Sequence, residues 1–374
     1  MIGSDPTIFD ATSAARLRMH AYAKAIGELH IVSSAGRDAR ELQEGGLFLH
    51  PVHAPKLLRV RALARCARRV IRARGIEVVS AQDPFEHGLA AARAVGGTSA
   101  KLHIQVHTDF LSPWFIKVSG WRWSSLRMAL LNRHRRRLAD RVLPKAAGIR
   151  VVSERIKASL AARYGSRIPA PSVIPIAVDA ATPASVPLPV HSFKFSLIAV
   201  GRLEPEKRVE DILTALKLVV LKYPMIGLFV VGDGCERTRL ERRTHALGLD
   251  GKVIFLGSRP DAHALMPSAQ AFIQASAYEG YGRTLIEAAL AKVPIVTTDV
   301  GIVGDVLKND EDVLAVPVAD PVALERSIGK LIEDTRLRQL LPLHAEAAAR
   351  AHLAAIGDLP ARIAADLART VGNP

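Results

Sequence analysis

The chain has few of the features that mark membrane, disulfide-rich or unfolded proteins. It has only two cysteines among 374 residues, Cys66 and Cys235, and they lie too far apart in sequence to indicate a disulfide framework or a zinc site. It has no run of 18 apolar residues and no basic stretch leading into an apolar one at its start, so we expect neither a transmembrane helix nor a signal peptide. Because 49% of the residues are hydrophobic, a well-cored globular protein is expected. The separated cysteines and the lack of a signal peptide or transmembrane segment favour the cytoplasm.

Acidic residues are scarce in the first half of the chain. Residues 1–195 contain 30 Lys and Arg but only 13 Asp and Glu, a net charge of +17, whereas residues 196–374 contain 21 and 23, a net charge of −2. This asymmetry favours two domains with different partners. A basic half suits nucleic acid, an anionic lipid surface or a phosphorylated substrate.

Short β-branched runs alternate with helical stretches along the whole chain, which predicts parallel sheets covered on both faces. The expected strands are 29–34, 76–81, 101–107, 148–153, 171–178, 195–203, 227–234, 252–258, 269–276, 294–301 and 312–318. The expected helices are 12–26, 54–73, 86–95, 120–140, 153–163, 209–223, 235–248 and 283–292, with further helices at the end.

A stretch rich in Pro, Ala and Ser at 179–192 predicts a linker between two such series. The expected organisation is an N-terminal domain over 1–190, a C-terminal domain over 191–350, and a last helical segment over 351–374 that packs back on the first domain. Two doubly wound domains facing each other across a cleft would bind ligands beyond the carboxyl ends of their strands.

The first residues, MIGSDPTIF, read as the end of a first strand and the loop after it. A parallel sheet usually has about four apolar residues more in such a strand. Either the first strand is very short or the sequence starts internally, and a mass measurement on the native protein separates the two.

Three glycine-containing turns are candidates for ligand contacts. Gly201-Arg202 follows an apolar strand and Lys207 comes shortly after, an arrangement that suits a diphosphate but also an ordinary solvated loop. Gly232 and Gly234 form a loose dinucleotide-type turn without the third glycine, which a tight turn explains equally well.

The stretch YEGYGRTLIE (278–287) is the most informative of the three. Gly282 frees the backbone before a helix at Arg283, whose first amides suit an anion. Glu287 lies in an otherwise apolar helix, and a carboxylate there suits a vicinal diol such as a ribose, with Glu279 on a sugar hydroxyl. The alternative is that Glu279 caps the helix and Glu287 is a surface residue.

Several ordered motifs together resemble the retaining glycosyltransferases of family 4, which have the α/β GT-B fold of two Rossmann-like domains. The strong resemblance covers 195–310, in VGRLEPEKRVEDILTAL, VVGDGCERTRLE, KVIFLGSRPD and ASAYEGYGRTLIEAALAKVPIVTTDVG. It includes the E-x7-E motif at Glu279 and Glu287. It continues more weakly over 3–179, in AQDPFEHGLAA, VHTD and IRVVSERIKASL.

The resemblance implies a role for each matching residue. Arg202 and Lys207 would hold the donor diphosphate, Glu279 the donor sugar and Glu287 the ribose, while His107 would reach the sugar from the opposite wall of the cleft. The implied catalytic residues are His107, Glu279, Arg202 and Lys207. The other implied donor contacts are Gly3, the stretch Ser258, Arg259 and Pro260, and the backbone of Gly280, Tyr281, Gly282, Arg283 and Thr284.

The implied reaction is metal-independent transfer of a hexose-type sugar with retention of configuration. It needs no cofactor, because the nucleotide-diphosphate sugar, for example a UDP-sugar, is the donor substrate. The acidic run Asp310-Glu311-Asp312 reads as a turn rather than a metal site. Two departures weaken the implied contacts: the family's glycine-rich turn after the first strand is GSDPTIF here, and its NGVD motif is IAVD at 176–179.

Two basic segments of the first half combine arginines with apolar residues. Residues 55–74 contain Lys56 and seven arginines, and all three tryptophans lie within 114–123, next to the arginine-rich stretch that runs to 137. Such segments suit peripheral contact with the anionic inner face of a membrane, which favours a lipid-linked or other cell-envelope acceptor. The alternative is that the apolar residues pack inward while the arginines face water. Nucleic-acid binding is not expected, because no RRM or KH motif occurs.

Two other functions are compatible with these sequence features. The same fold could carry out nucleotide-sugar epimerisation or phosphorolysis, although the E-x7-E stretch favours transfer. A non-catalytic basic protein that binds membrane or RNA would not need Arg202, Lys207, Glu279 and Glu287 together. The donor sugar and base, the acceptor and the oligomeric state are not encoded in any motif that we recognise.

Overall fold

The computed structural model describes residues 1–36, 38–117, 123–181 and 184–372, apart from the side chains of 123–125. Its contacts divide the chain into two compact units. The first unit contains Met1–Leu111, Leu126–Pro175 and Asp358–Pro374, and the second contains Ser112–Ser125 and Ile176–Gly357.

The first unit is built on an eight-stranded sheet in the order β3-β4-β2-β1-β5-β6-β7-β8, in which only the β3–β4 pair is antiparallel. The strands are β1 (Ile2–Gly3), β2 (Leu29–Ser34), β3 (Leu42–Glu44), β4 (Leu47–Val52), β5 (Val78–Ala81), β6 (Lys101–Val106), β7 (Gly148–Val151) and β8 (Ser172–Val173). The helices are α1 (Ala14–Ile26), α2 (Arg59–Arg74), α3 (Glu86–Val95), α4 (Trp123–Val142), α5 (Glu154–Tyr164) and, from the end of the chain, α12 (Leu359–Gly372).

Two features of the first sheet differ from the sequence-based expectation. A hairpin formed by β3 and β4 extends one edge of the sheet, where no strand was predicted; its turn contains Gly45 in the left-handed region, with φ of 56°. The strand expected over 171–178 is only Ser172–Val173. The carbonyl oxygens of Ile174 and Pro175 accept hydrogen bonds from the Arg150 side chain instead of from a neighbouring strand.

The second unit contains a six-stranded parallel sheet in the order β11-β10-β9-β12-β13-β14. Its strands are β9 (Phe195–Val200), β10 (Ile226–Val231), β11 (Val253–Gly257), β12 (Ala271–Gln274), β13 (Ile295–Thr298) and β14 (Leu314–Val316). Its helices are α6 (Val209–Lys222), α7 (Arg237–Ala246), α8 (Ala262–Leu265), α9 (Arg283–Leu290), α10 (Pro321–Glu333) and α11 (Thr335–Ile356).

Both faces of this second sheet are buried, as continuous apolar strands predict. On one face, Leu197, Leu228 and Ile273 pack with residues of α6, α7, α10 and α11 in a single apolar cluster. The alternating residues Ile198 and Phe229 point to the other face and are also fully buried. A sheet shielded on both sides leaves its strand ends as the places where loops can meet a ligand.

The linker stretch packs on the second unit. The amide of Val186 donates to the Ala264 oxygen at 2.8 Å, and the Ser268 hydroxyl donates to the Val186 oxygen at 2.8 Å. The contacts therefore divide the chain after Pro175, where the sequence suggested residue 190. At the other end, α11 runs through residue 350 to Ile356, and α12 packs on α1, β6 and β7 of the first unit.

The loop after β10 crosses the loop after β9 at very short range. Gly232 has φ of 137°, and a Cβ atom there would lie 1.9 Å from the backbone oxygen of Gly201. A Cβ at Gly234 would lie 2.4 Å from the oxygen of Leu203. Only glycine allows this approach, so the turn at 232–234 has a packing function.

We expect Gly232→Ala to destabilise the protein by about 3 kcal/mol, because the new Cβ collides with backbone that cannot move aside cheaply. Gly329→Ala is the control: Gly329 lies inside α10 with open space at its Cβ position, so this change should stabilise by about 0.5–1 kcal/mol. Denaturant midpoints of both variants measure the difference. Equal midpoints would contradict the crossing described here.

Candidate active site

The order of strands in the second sheet reverses between β9 and β12. From β9 the chain builds β10 and β11 on one side, and from β12 it builds β13 and β14 on the other. The loops that leave the carboxyl ends of β9 and β12 therefore diverge, and such a point is where open α/β sheets bind ligands. The residues predicted to hold the donor, Arg202 and Lys207 on one loop and Glu279 on the other, lie at this point.

An ion pair joins the two loops. Lys207 Nζ contacts Glu279 Oε1, which also accepts a hydrogen bond from Ser276 Oγ at 2.8 Å. The amide of Ala277 donates to the Glu206 oxygen at 2.7 Å and holds the loops together a second time. Because the Lys207 and Glu279 side chains are only 20% and 14% exposed, this pair is largely shielded from water.

Arg202 is the most exposed of the predicted phosphate ligands. Its Nη2 atom lies 3.2 Å from Glu206 Oε1, and its side chain is 73% exposed. An ion pair this exposed contributes little stability. Arg202 can therefore exchange Glu206 for a phosphate oxygen at small cost.

The helix α9 begins where the sequence predicts an anion site. Gly282 has φ of 93°, a left-handed conformation that favours glycine, and Arg283 starts the helix. The first amides of the helix have no intrahelical acceptors. One turn later, Glu287 Oε1 accepts from Arg283 Nε at 2.7 Å, with the Glu287 side chain 18% exposed.

Two predicted donor contacts have side chains directed into the fold. The Tyr281 hydroxyl lies 2.8 Å from His352 Nε2 on α11, and burial raises the pKa of Tyr281 above its usual range. The Thr284 hydroxyl donates to Gln274 Oε1 at 2.8 Å on β12. Any contact that Tyr281 and Thr284 make to a ligand at the strand ends is therefore through their backbone.

The stretch Ser258, Arg259 and Pro260 is exposed and follows β11, two strands away from β9. Arg259 forms a two-point ion pair with Asp261, at 2.8 and 2.7 Å, which holds the pKa of the Asp261 carboxyl below its usual range. Like Lys207 and Glu279, these residues follow the carboxyl end of a strand, but that strand is the outermost one on the β11 side of the sheet.

Gly3 and His107 belong to the first unit. The first sheet also reverses its order, between β1 and β5, and Gly3 ends β1 at this point; a Cβ there would lie 2.2 Å from Gln82 Oε1. His107 follows β6, the next strand, with Nε2 2.9 Å from Gln105 Oε1. Burial and the neighbouring Arg150 lower the pKa of His107 to about 3, so its ring is neutral at physiological pH.

Within the described part of the chain, no cluster of His, Cys, Asp or Glu has the arrangement of a metal site. In the acidic run Asp310-Glu311-Asp312, Asp312 Oδ2 accepts a hydrogen bond from the backbone amide of Lys308 at 2.8 Å, as is common in turns.

Sequence reasoning missed Ser276 and Gln105. Ser276 lies just after β12, three residues before Glu279. Serines at such positions are too common to be recognised as functional from the sequence. Gln105 had a visible signal: His103 and Gln105 alternate with apolar residues in β6 and His107 continues the alternation directly after it, which places the three polar side chains on one face.

Comparison with known families gives matches to both halves of the chain. The profile of "Glycosyl transferases group 1" matches residues 189–347, and that of "Glycosyltransferase Family 4" matches residues 18–182. The chain belongs to the family 4 glycosyltransferases. The GT-B fold of this family is also that of the similar solved structures.

Two curated relatives come from Rhizobium meliloti. The lipopolysaccharide core biosynthesis glycosyltransferase LpsD is 30% identical over 52% of this chain and 53% of its own length. LpsE, of the same description, is 27% identical over 44% of this chain and 46% of its own length. The chain thus spans about half the length of these curated relatives it matches.

Solved structures resemble the chain over almost its full length. Sucrose-phosphate synthase from Thermosynechococcus elongatus has a TM-score of 0.77 at 17% identity, covering 99% of this chain and 98% of its own. HepE from Anabaena, solved with UDP and glucose, has a TM-score of 0.73 at 21% identity, covering 98% of each chain. At these identities the likeness shows the fold.

The lowered pKa of His107 predicts a pH-dependent stability. In the unfolded chain a histidine has a pKa of about 6.5. Below that pH the unfolded state therefore binds a proton at His107 that the folded state does not bind. The stabilising contribution of a neutral His107 is therefore lost as the pH falls from about 6.5 toward 3, by at most about 1.4 kcal/mol per pH unit.

Chemical denaturation at a series of pH values measures this effect. The free energy of unfolding of wild type minus that of His107→Asn should decrease from pH 7 to pH 4.5. His245→Asn, at a histidine whose side chain is 83% exposed, is the control for removing an imidazole that is not buried. Parallel profiles for wild type and His107→Asn would contradict a neutral His107.

Proposed function

We propose that the protein transfers a sugar from a nucleotide-diphosphate sugar to a glycan or lipid-linked acceptor, without a metal ion and with retention of configuration. The observation that carries the proposal is the pairing of Lys207 with Glu279 where the second sheet reverses its order, beside the start of α9. This places a cation, a carboxylate and the first amides of α9 close together.

The groups at this point match the parts of such a donor. Lys207, Arg202 and the first amides of α9 suit the diphosphate, since each can donate to phosphate oxygens. Glu279 suits a sugar hydroxyl and Glu287 the ribose, since carboxylates accept hydrogen bonds from neutral hydroxyls. Before binding, Lys207 and Glu279 satisfy each other, and Glu287 is satisfied by Arg283.

The proposed chemistry is the front-side displacement that the resemblance to the family implies. The acceptor hydroxyl oxygen forms a bond to the anomeric carbon on the face that the leaving group occupies, while the bond from that carbon to the phosphate oxygen breaks. The electron pair goes to the phosphate oxygen, and the acceptor proton is transferred to the leaving diphosphate. Lys207 and Arg202 stabilise the negative charge that develops there, which is the main catalytic contribution.

The base and the acceptor are suggested by relatives. HepE was solved with UDP and glucose, so UDP-sugars are the first donors to test. LpsD and LpsE are described as acting in lipopolysaccharide core biosynthesis, which supports a cell-envelope acceptor. Epimerisation or phosphorolysis on the same fold remains a second candidate; the products of a donor incubation separate it from transfer.

We expect a UDP-sugar to bind and to be slowly hydrolysed in the absence of acceptor. Lys207→Ala should lower the hydrolysis rate at least about 100-fold, because the leaving charge loses its cation. Glu287→Ala should weaken donor binding about 10- to 100-fold with little change in the rate at saturation, because the ribose contact is lost. Isothermal calorimetry and product release measure the two effects.

Matched controls separate these effects from general loss of charge. Lys222→Ala removes an exposed lysine of the same unit, and Glu241→Ala removes a glutamate that accepts from Arg237 Nε at 2.8 Å with the same i, i+4 spacing as Glu287. Neither should change binding or rate. If the wild type binds no nucleotide in a screen of UDP-, GDP- and ADP-sugars, the proposed function is wrong.

We also propose that the first unit docks on an anionic membrane surface. Exposed arginines of α2, Arg61, Arg65, Arg69 and Arg72, follow the fully exposed Leu57. The start of α4 likewise exposes apolar side chains among arginines: Leu126 (54%), Met128 (38%), Leu130 (55%) and Leu131 (38%). Trp121, Arg122 and the Trp123 side chain, part of the sequence-based hypothesis, lie outside the described residues.

Exposed leucines beside arginines suit an interface between lipid headgroups and water. Among the described residues, no helix is long and apolar enough to cross a bilayer. Binding would thus use the surface of α2 and the start of α4.

We expect the protein to sediment with vesicles containing anionic lipid and not with neutral vesicles at low salt, and to be released by high salt. The triple variant Arg61→Glu, Arg65→Glu, Arg69→Glu should lose at least about tenfold in binding, since each basic residue contributes about 1 kcal/mol. Equal sedimentation with neutral and anionic vesicles would contradict membrane docking.

A further inference from the structure

A chain of buried polar side chains runs beneath His107 through the first unit. His103 and Gln105 of β6 are 2% and 4% exposed, and they lie on the same face of the strand as His107. Their hydrogen-bond partners are Ser80 of β5, Arg150 of β7 and Asp366 of α12. Since buried polar groups must be satisfied, the directions of most of these hydrogen bonds can be assigned from donor and acceptor chemistry alone.

Arg150 fixes the orientation of the Gln105 amide. A guanidinium can only donate, and Arg150 Nη1 lies 3.1 Å from Gln105, so the atom that it contacts is the amide oxygen Oε1. The other Arg150 nitrogens donate to the oxygens of Ile174 at 3.0 Å and Pro175 at 2.7 Å, which fixes the guanidinium in place. Gln105 Nε2 therefore points to Ser80 Oγ, at 2.9 Å.

The other end of the chain is closed by a carboxylate. Ser80 Oγ, which accepts from Gln105, also lies 2.9 Å from His103 Nδ1. His103 Nε2 donates to Asp366 Oδ2 at 3.1 Å, because a carboxylate can only accept. A flip of the Gln105 amide would place its Nε2 against the Arg150 guanidinium, with two donors facing each other, so the orientation of the amide is fixed.

The consequence for His107 concerns its tautomer. Its Nε2 lies 2.9 Å from Gln105 Oε1, an oxygen that has no proton to give, so Nε2 must carry the hydrogen. We propose that Gln105, held by Arg150, is a positioning residue that fixes His107 as the neutral imidazole protonated on Nε2, so that Nδ1 accepts a hydrogen bond from a substrate hydroxyl group. The substrate hydroxyl rests on the proposed function; the tautomer does not.

The charges around His107 agree with this protonation state. Burial lowers the pKa of His107 to about 3, and Arg150 on β7 acts in the same direction because it opposes a second positive charge. Asp83, which follows β5, acts in the opposite sense, but its carboxylate is already bonded to His87 Nδ1 and to the amide of Phe85. His107 is therefore not a cation that could stabilise a leaving phosphate between pH 5 and 8.

The first test reads the imidazole directly. In protein labelled with ¹⁵N-histidine and assigned with His107→Asn, His107 should show a protonated Nε2 and an unprotonated Nδ1, unchanged from pH 8 to pH 5. In Gln105→Leu the imidazole should become a mixture of tautomers. A wild-type His107 protonated on Nδ1, or titrating above pH 5, would overturn the proposal.

The second test uses a carboxylate in place of the amide. In Gln105→Glu the negative charge neutralises the effect of Arg150 and favours the imidazolium, so His107 should titrate near or above pH 6. Below that pH, Nδ1 is protonated and cannot accept, so kcat/KM for the nucleotide-sugar donor should fall about tenfold per pH unit, mainly through KM. Wild type and Gln43→Glu, which adds the same charge at an exposed position of β3, should show no such fall.

The two tests separate two failures. An unchanged tautomer and titration in both Gln105 variants would overturn the positioning role, whatever the activity. A correct tautomer in a protein that binds no nucleotide sugar would overturn the proposed function and leave the role of Gln105 in place. If Gln105→Glu does not fold, the wild-type and Gln105→Leu spectra still decide the positioning role.

Discussion

The contact between Lys207 and Glu279 is the constraint around which the second unit is organised. It joins the loop after β9 to the loop after β12, which otherwise diverge because the strand order reverses between them. The glycine crossing at Gly201 and Gly232 holds the loop after β9 against the loop after β10, and Gly282 turns the chain into α9 on the other side. The same two side chains that hold the loops together are the ones that we propose bind the donor.

Much of the second unit follows from its sequence. Its strands are continuous apolar runs bounded by glycines, and its helices carry one apolar face, so the periodicity that predicts them is also the periodicity that buries them. The ends of the predicted strands were too long by one to three residues, because glycine and charged residues after a strand can extend a pattern without adding hydrogen bonds. The candidate site was predictable because its residues lie in short motifs directly after strands.

The first unit was harder to predict for two physical reasons. Its edge hairpin, β3 and β4, is held by register with β2 rather than by a strong local pattern. Its buried polar chain joins residues that are distant in sequence: His103 and Asp366 are separated by 263 positions. No local pattern encodes such a contact, although the alternation of His103, Gln105 and His107 showed that one face of β6 had to find polar partners.

The position of α12 has a consequence for how the protein is made. Asp366, which closes the hydrogen-bonded chain of the first unit, lies on the last helix, after the whole sequence of the second unit. During synthesis the ribosome therefore completes β9 to β14 and α6 to α11 while His103 still lacks its carboxylate and α1 its neighbouring helix. The first unit can therefore be completed only after the sequence of the second unit has been synthesised.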